Sequence, residues 1–108
     1  MKDFEKLGLS QPLVENIERL GFITPTKIQS EAIPKLLEDN TDLVGLAQTG
    51  TGKTAAFGLP LIELVDPSIF QTQALVLAPT RELCLQITKE LVQFGSHIKA
   101  LKIHAVYG

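Results

Sequence analysis

An α/β fold built on a parallel sheet is predicted by three features of the 108-residue chain. The hydrophobic period changes midway along it, the order thereafter is strand–helix–strand–helix–strand, and a Gly/Thr-rich loop sits at the first strand–helix junction. Short helices precede the change. Ser10 is a favoured N-cap and Pro12 fits a first turn, so a helix is expected with Leu13, Val14, Ile17 and Leu20 on its apolar face and a stop at Gly21. A second helix is expected from about Thr24-Pro25-Thr26, carrying Ile28, Ala32 and Ile33. Pro34 should end or kink it, because its ring removes a donor and clashes one turn back. A third short helix, Lys35 to Glu38, then leads into the polar turn Asp39-Asn40-Thr41.

Leu43-Val44-Gly45-Leu46-Ala47 is an uninterrupted apolar run, the pattern of a strand buried on both faces. After the Gly/Thr-rich loop, a helix is expected from about Lys53 to Val65, with Phe57, Leu61 and Leu64 at helical spacing, a bend at Pro60 and a break at Asp66-Pro67-Ser68. Ala74-Leu75-Val76-Leu77-Ala78 reads as a second buried strand. Thr80 caps a further helix with Leu83, Ile87, Leu91 and Phe94 on its apolar face, and Ala100 to Tyr107 alternates as a third strand. Parallel strands imply right-handed crossovers, and ligands of such sheets bind beyond the carboxyl ends of the strands. Two loops lie there, Gln48–Lys53 and Pro79–Glu82.

Composition bounds the possibilities. Hydrophobic residues make up 44% and charged residues 20%, as in an ordinary globular domain. No apolar run approaches the roughly 20 residues of a membrane span, and charges interrupt the first ten residues, so no signal-peptide core is expected. The single cysteine, Cys84, builds neither a disulfide framework nor a four-ligand zinc site and points to a reducing, cytoplasmic setting. The net charge of -2 argues against nucleic-acid binding by bulk charge and leaves it to a few placed groups.

Ala47-Gln48-Thr49-Gly50-Thr51-Gly52-Lys53-Thr54 matches the nucleotide-phosphate loop, with Ala47 in place of the leading glycine. Gly50 and Gly52 permit backbone angles that turn successive N–H groups toward phosphate oxygens, and the following helix adds its dipole. Lys53 is placed to reach the β- and γ-phosphates, and the Thr54 hydroxyl to ligand Mg²⁺. By chance the pattern arises in about one chain of this length in a hundred, and the strand–loop–helix frame reduces that further.

Upstream, Gly21-Phe22-Ile23-Thr24-Pro25-Thr26-Lys27-Ile28-Gln29, with Phe4 before it, resembles the Q motif of DEAD-box RNA helicases. With Ala47–Thr54, and with Pro79-Thr80-Arg81-Glu82-Leu83 resembling motif Ia, three motifs occur in family order across nearly the whole chain. The resemblance implies ATP and Mg²⁺ as cofactors, a RecA-like P-loop NTPase domain of which residues 1–108 form the amino-terminal half, and RNA gripped by its backbone, single-stranded or as short duplexes. It assigns Gln29 to the adenine base, Phe22 and Phe4 to packing near it, Thr26 to the phosphate-loop region, and Pro79, Thr80 and Arg81 to RNA. The chemistry agrees for Gln29: an amide both donates and accepts, matching adenine N7 and N6–H₂, whereas guanine offers two acceptors. Taken singly, Gln29 is an ordinary solvated helix residue, Phe4 and Phe22 are ordinary packing residues, and Arg81 is a surface partner for Glu82 or Glu90.

The family's Asp-Glu-Ala-Asp carboxylates, its Ser-Ala-Thr motif and its second RecA-like domain with arginine fingers do not occur in these residues. The expectation is therefore that the 108-residue chain neither hydrolyses ATP nor unwinds RNA alone, and that its strands, separated in the family sheet by later ones, leave it unstable by itself. His97 and His104 lack metal-spaced partners. Two rival readings are a non-enzymatic nucleotide-binding module and another P-loop ATPase, such as a DNA-directed helicase.

Overall fold

Ser10 begins α1, Gln11–Arg19, from an extended backbone, but its hydroxyl makes no capping bond. Its main-chain N–H instead donates to Glu63 Oε1 at 2.7 Å, tying the start of α1 to the third helix. The computed structural model describes residues 2–38 and 52–107. Within them lie a 3₁₀ turn at Glu5–Leu7 and four helices: α1, α2 (Lys27–Glu38), α3 (Lys53–Leu64) and α4 (Arg81–Phe94). Thr80 caps α4 as expected, its Oγ1 accepting from the Leu83 N–H at 3.1 Å.

The core is where the four helices meet. Leu13, Val14 and Ile17 of α1, Ile33 of α2, Ala55, Leu59 and Ile62 of α3, and Ile87, Leu91 and Phe94 of α4 form one buried cluster with Phe4 and Leu9. Gly58 sets the closeness of α3 and α4, since a Cβ there would come within 2.7 Å of Leu91 Cδ2. Among the described residues two polar side chains are buried, Asn16 and Gln29, and Asn16 bonds the end of α4. Asn16 Nδ2 donates to the carbonyls of Gln93 at 3.0 Å and Phe94 at 2.9 Å, and Asn16 also exchanges hydrogen bonds with Ser96. Those carbonyls belong to the last turn of α4, where no intrahelical donor remains, so α1 caps α4 from the side.

Several expectations need correction. Pro34 does not end its helix: α2 runs through it to Glu38. The lost N–H removes one bond, while Ala32 and Ile33 before it and Leu37 after it keep the same face on the core. Leu20 lies beyond α1 and is exposed. In α3 the fully buried apolar residues include Ala55, Leu59 and Ile62, and the half-buried Phe57 also packs on the core; Leu64 is exposed, and Phe57, Leu61 and Leu64 border an apolar groove of about 480 Å³. Leu83 of α4 is exposed as well.

The expected sheet is not formed among the described residues. The strand expected at 43–47 lies outside them, and the runs 74–78 and 100–107 carry no ladder pairing. Burial nonetheless alternates along both. Val76 and Ala78 pack on the core while Leu75 and Leu77 are 79% and 84% exposed. Leu101 and Ile103 pack inward, whereas Lys102 and His104 face out. A period of two is the local signature of a strand, and only a neighbouring strand turns such a run into a ladder. Each run therefore has one face on the helices and the other open, not the two buried faces expected of 74–78.

Between α3 and the first run, Asp66 Oδ1 accepts from the Ser68 N–H at 3.0 Å and its hydroxyl at 2.7 Å, which holds the Asp66 carboxyl below its ordinary pKa. The Gln73 amide bonds the Asp66 main chain through both its oxygen and its nitrogen, closing this turn.

Candidate functional site

Gly52 is the last loop residue before α3 and the N-cap of that helix, in the left-handed region at φ 84°. A residue with a Cβ is strained there, and the Cβ would also collide with the Gln29 Nε2. Having no side chain, Gly52 leaves the first amides of α3 without a side-chain cap. Such uncapped N–H groups at a helix start form an anion site. Lys53, exposed, and Thr54, half-buried, occupy the first two helical positions beside them. Ala47, Gln48, Thr49, Gly50 and Thr51 lie outside the described residues.

Gln29 projects from the first turn of α2 into this junction and is 1% exposed. Its Oε1 accepts from the Thr26 N–H at 2.9 Å, its Nε2 donates to the Gly52 carbonyl at 3.2 Å, and its own N–H donates to Thr26 Oγ1 at 3.4 Å. Thr26 and Gln29 thus close a reciprocal box at the start of α2, and the spare end of the amide reaches the start of α3. The Gly52 carbonyl also accepts the first helical bond of α3, from Ala56 at 3.1 Å. Among the described residues the two hydrogen bonds of the Gln29 amide leave one side-chain N–H and one oxygen lone pair unused.

Phe22 is half-buried and sits between two rings. Phe94 meets it edge-to-face at 5.4 Å between centroids, and Phe4 at 6.5 Å. Phe4 itself is 1% exposed, beneath Phe22 rather than beside it on the surface. Edge-to-face pairs at these separations favour one ring orientation over others.

Pro79, Thr80 and Arg81 lie at the exposed N-terminus of α4. Among the described residues neither Glu82 nor Glu90 ion-pairs with Arg81. Its guanidinium carbon instead lies 4.5 Å from the centroid of the Tyr107 ring. The structure therefore brings together Thr26, Gln29 and Gly52, and separately Phe4 and Phe22. Among the described residues no hydrogen bond links either group to Thr80 or Arg81.

Sequence reasoning did not foresee the contacts of Phe94, Asn16 and Tyr107. The 87/91/94 spacing correctly marked Phe94 as core, yet spacing along one helix carries no signal of which ring it meets. Asn16 lies beside the apolar stripe of α1, where a polar residue reads as solvated. Tyr107 meets Arg81 only through the fold.

A family description, DEAD/DEAH box helicase, matches residues 26–108. The chain is 48% identical over 105 residues to the ATP-dependent RNA helicase DeaD of Klebsiella pneumoniae, covering 97% of this chain and 16% of that protein. It is 49% identical over 108 residues to the DEAD-box ATP-dependent RNA helicase CshA of Geobacillus kaustophilus, covering 100% of this chain and 23% of that protein. Among solved structures, S. cerevisiae Dbp5 bound to RNA and ADP BeF3 superposes with a TM-score of 0.85 at 39% identity, covering 92% of this chain and 26% of Dbp5. A DEAD box protein from Methanococcus jannaschii superposes with a TM-score of 0.82 at 37% identity, covering 95% of this chain and 33% of that one. The chain spans less than a quarter of the two helicases DeaD and CshA. With a match over most of its length, this chain belongs to the DEAD/DEAH box helicase family.

Proposed function

We propose that the whole protein is an ATP-dependent RNA helicase, cytoplasmic, in which these residues grasp the nucleotide and one stretch of RNA backbone. The observation that carries this reading is the hydrogen bond from Gln29 to Gly52. It joins the residue matched to base recognition directly to the last glycine of the phosphate loop, so the two ends of one nucleotide site share an atom-to-atom contact.

The residues present fit a triphosphate. α3 offers uncapped amides behind a left-handed glycine, with the exposed Lys53 at its first position. The Thr54 hydroxyl is the ligand this segment supplies for Mg²⁺, a cation that binds chiefly through phosphates and water with few protein groups. Bound ATP supplies a γ-phosphoryl group for transfer to water. Lys53 neutralises charge on the phosphates, Gln29 offers its remaining N–H and lone pair to the adenine edge, and Phe22, held by Phe94 and Phe4, gives the base an apolar surface. At the far end of the segment, Arg81, with Pro79 and Thr80, meets RNA phosphate and sugar, which positions the strand without reading its sequence.

In this reading the runs 74–78 and 100–107 join a parallel RecA-like sheet whose remaining strands, catalytic carboxylates and second RecA-like domain come from the rest of the protein. With ATP held by these residues, the two domains would close over RNA and remodel short duplexes, and hydrolysis would reset them. Nucleotide competition in the whole protein tests the proposal. ATP is expected to outcompete GTP, and Gln29→Ala to erase a preference of about 1–3 kcal/mol. Equal competition by GTP in the unaltered protein, with Gln29→Ala changing nothing, overturns it.

A further inference from the structure

Arg81 and Tyr107 lie on different elements, and the fold sets one side chain over the other. Arg81 occupies the first position of α4, where the Thr80 cap fixes its backbone. Its guanidinium carbon stands 4.5 Å from the Tyr107 ring centroid. Tyr107 is 47% exposed and Arg81 is also exposed, so the pair forms a surface feature and not part of the core. Among the described residues no carboxylate ion-pairs with the guanidinium.

A guanidinium has two kinds of surface. Its flat face is attracted to an aromatic ring, whereas its edge carries five N–H donors in a fork suited to phosphate oxygens. Contact with a ring therefore leaves the phosphate-binding edge free. A carboxylate partner would do the opposite, occupying the fork and cancelling the charge. The ring also removes rotamer freedom that a long side chain otherwise loses on binding.

We propose that Tyr107 is a positioning residue for Arg81: it holds the guanidinium by its face and presents the edge to a phosphate of single-stranded RNA. This rests on the reading of Arg81 as an RNA-backbone contact, and the test separates the two. A labelled uridine oligonucleotide is titrated with the whole protein and a non-hydrolysable ATP analogue over a series of salt concentrations. Four forms are compared: unaltered, Arg81→Ala, Tyr107→Leu and Tyr107→Phe.

Arg81→Ala is expected to weaken binding and lower the slope of log affinity against log salt by about 0.7, the loss of one single-strand phosphate contact. Tyr107→Leu is expected to weaken binding about 2- to 5-fold, the range of an exposed cation–π contact. Tyr107→Phe, which keeps the ring, is expected to bind as the unaltered protein does. In the Arg81→Ala background, Tyr107→Leu is expected to have no further effect. Tyr107→Leu binding normally while Arg81→Ala binds weakly overturns the positioning role alone. An equal loss from Tyr107→Leu in both backgrounds overturns it too, because the ring then acts on RNA independently. An unchanged salt slope in Arg81→Ala overturns the backbone reading of Arg81 and this proposal with it.

Discussion

The side-chain amide of Gln29 donates to the main-chain carbonyl of Gly52 at 3.2 Å, so the first turn of α2 is fastened to the N-cap residue of α3. The Gln29 oxygen is held at the same time by the Thr26 N–H at 2.9 Å. Both partners are main-chain atoms. Substituting Gln29 removes both bonds, whereas at Gly52 any residue with a Cβ collides with the Gln29 amide. In the proposed site, a nucleotide that engages Gln29 is thereby linked to the backbone geometry of Gly52.

Gly52→Ala disturbs this junction in two ways. Its Cβ is strained in a left-handed backbone and displaces the Gln29 amide. The strain alone costs about 1–2 kcal/mol. The expected outcome is a lowered Tm together with a large loss of ATP affinity, read by thermal unfolding and calorimetry on the whole protein. Unchanged nucleotide affinity would show that the glycine is not part of the site.

Lys53→Ala, by contrast, removes an exposed side chain and leaves packing alone. ATP turnover in the whole protein is expected to fall to background with Tm shifted little, since surface substitutions usually stay within about 0.5 kcal/mol. Normal steady-state turnover in this variant removes the assignment of Lys53 to the phosphates.

Asn16→Ala takes the lateral cap from α4. The buried Phe94 carbonyl loses its side-chain donor, at a cost of about 1–3 kcal/mol, whereas the Gln93 carbonyl keeps the Ser96 N–H and hydroxyl. Denaturant unfolding should show this as a lower midpoint, with the salt slope of RNA binding unchanged. A neutral effect on stability would mean that water replaces the amide at no cost.

The open faces of 74–78 and 100–107 make a prediction for the 108-residue chain by itself. Leu75, Leu77 and Val106 are 79%, 84% and 88% exposed, on runs with no paired neighbour among the described residues. Apolar, unpaired runs of this kind favour association between copies. The isolated chain is expected to bind a hydrophobic dye and to self-associate with rising concentration, read by sedimentation. A monomeric chain with a single cooperative thermal transition would contradict this.

Much of the architecture was legible in the sequence because it is written locally. Caps and periodicity located α1, α3 and α4 to within a residue or two: Ser10, Gly52 and Thr80 stand at their starts. The Pro34 break was misjudged because a local rule met a non-local force. One missing hydrogen bond is outweighed by the burial of Ile33 and its neighbours against the core. The spacing of Phe57, Leu61 and Leu64 likewise did not name the buried face of α3. In a helix apolar on more than one side, such as α3, spacing alone does not choose the face, and the chosen face is the one on which Gly58 lets α4 approach.

By itself, the sequence determined the family and the residue types and order of the proposed nucleotide site, since a glycine loop, a lysine and an upstream amide are chemical facts that need no fold. Only the tertiary structure decided what those groups touch. It placed the Gln29 amide on Gly52, Phe22 between Phe4 and Phe94, and Arg81 on Tyr107. Each of those contacts joins residues from different segments. Partners of that kind are selected by how whole elements bury their apolar faces, a property of the assembled chain that no local window of residues contains.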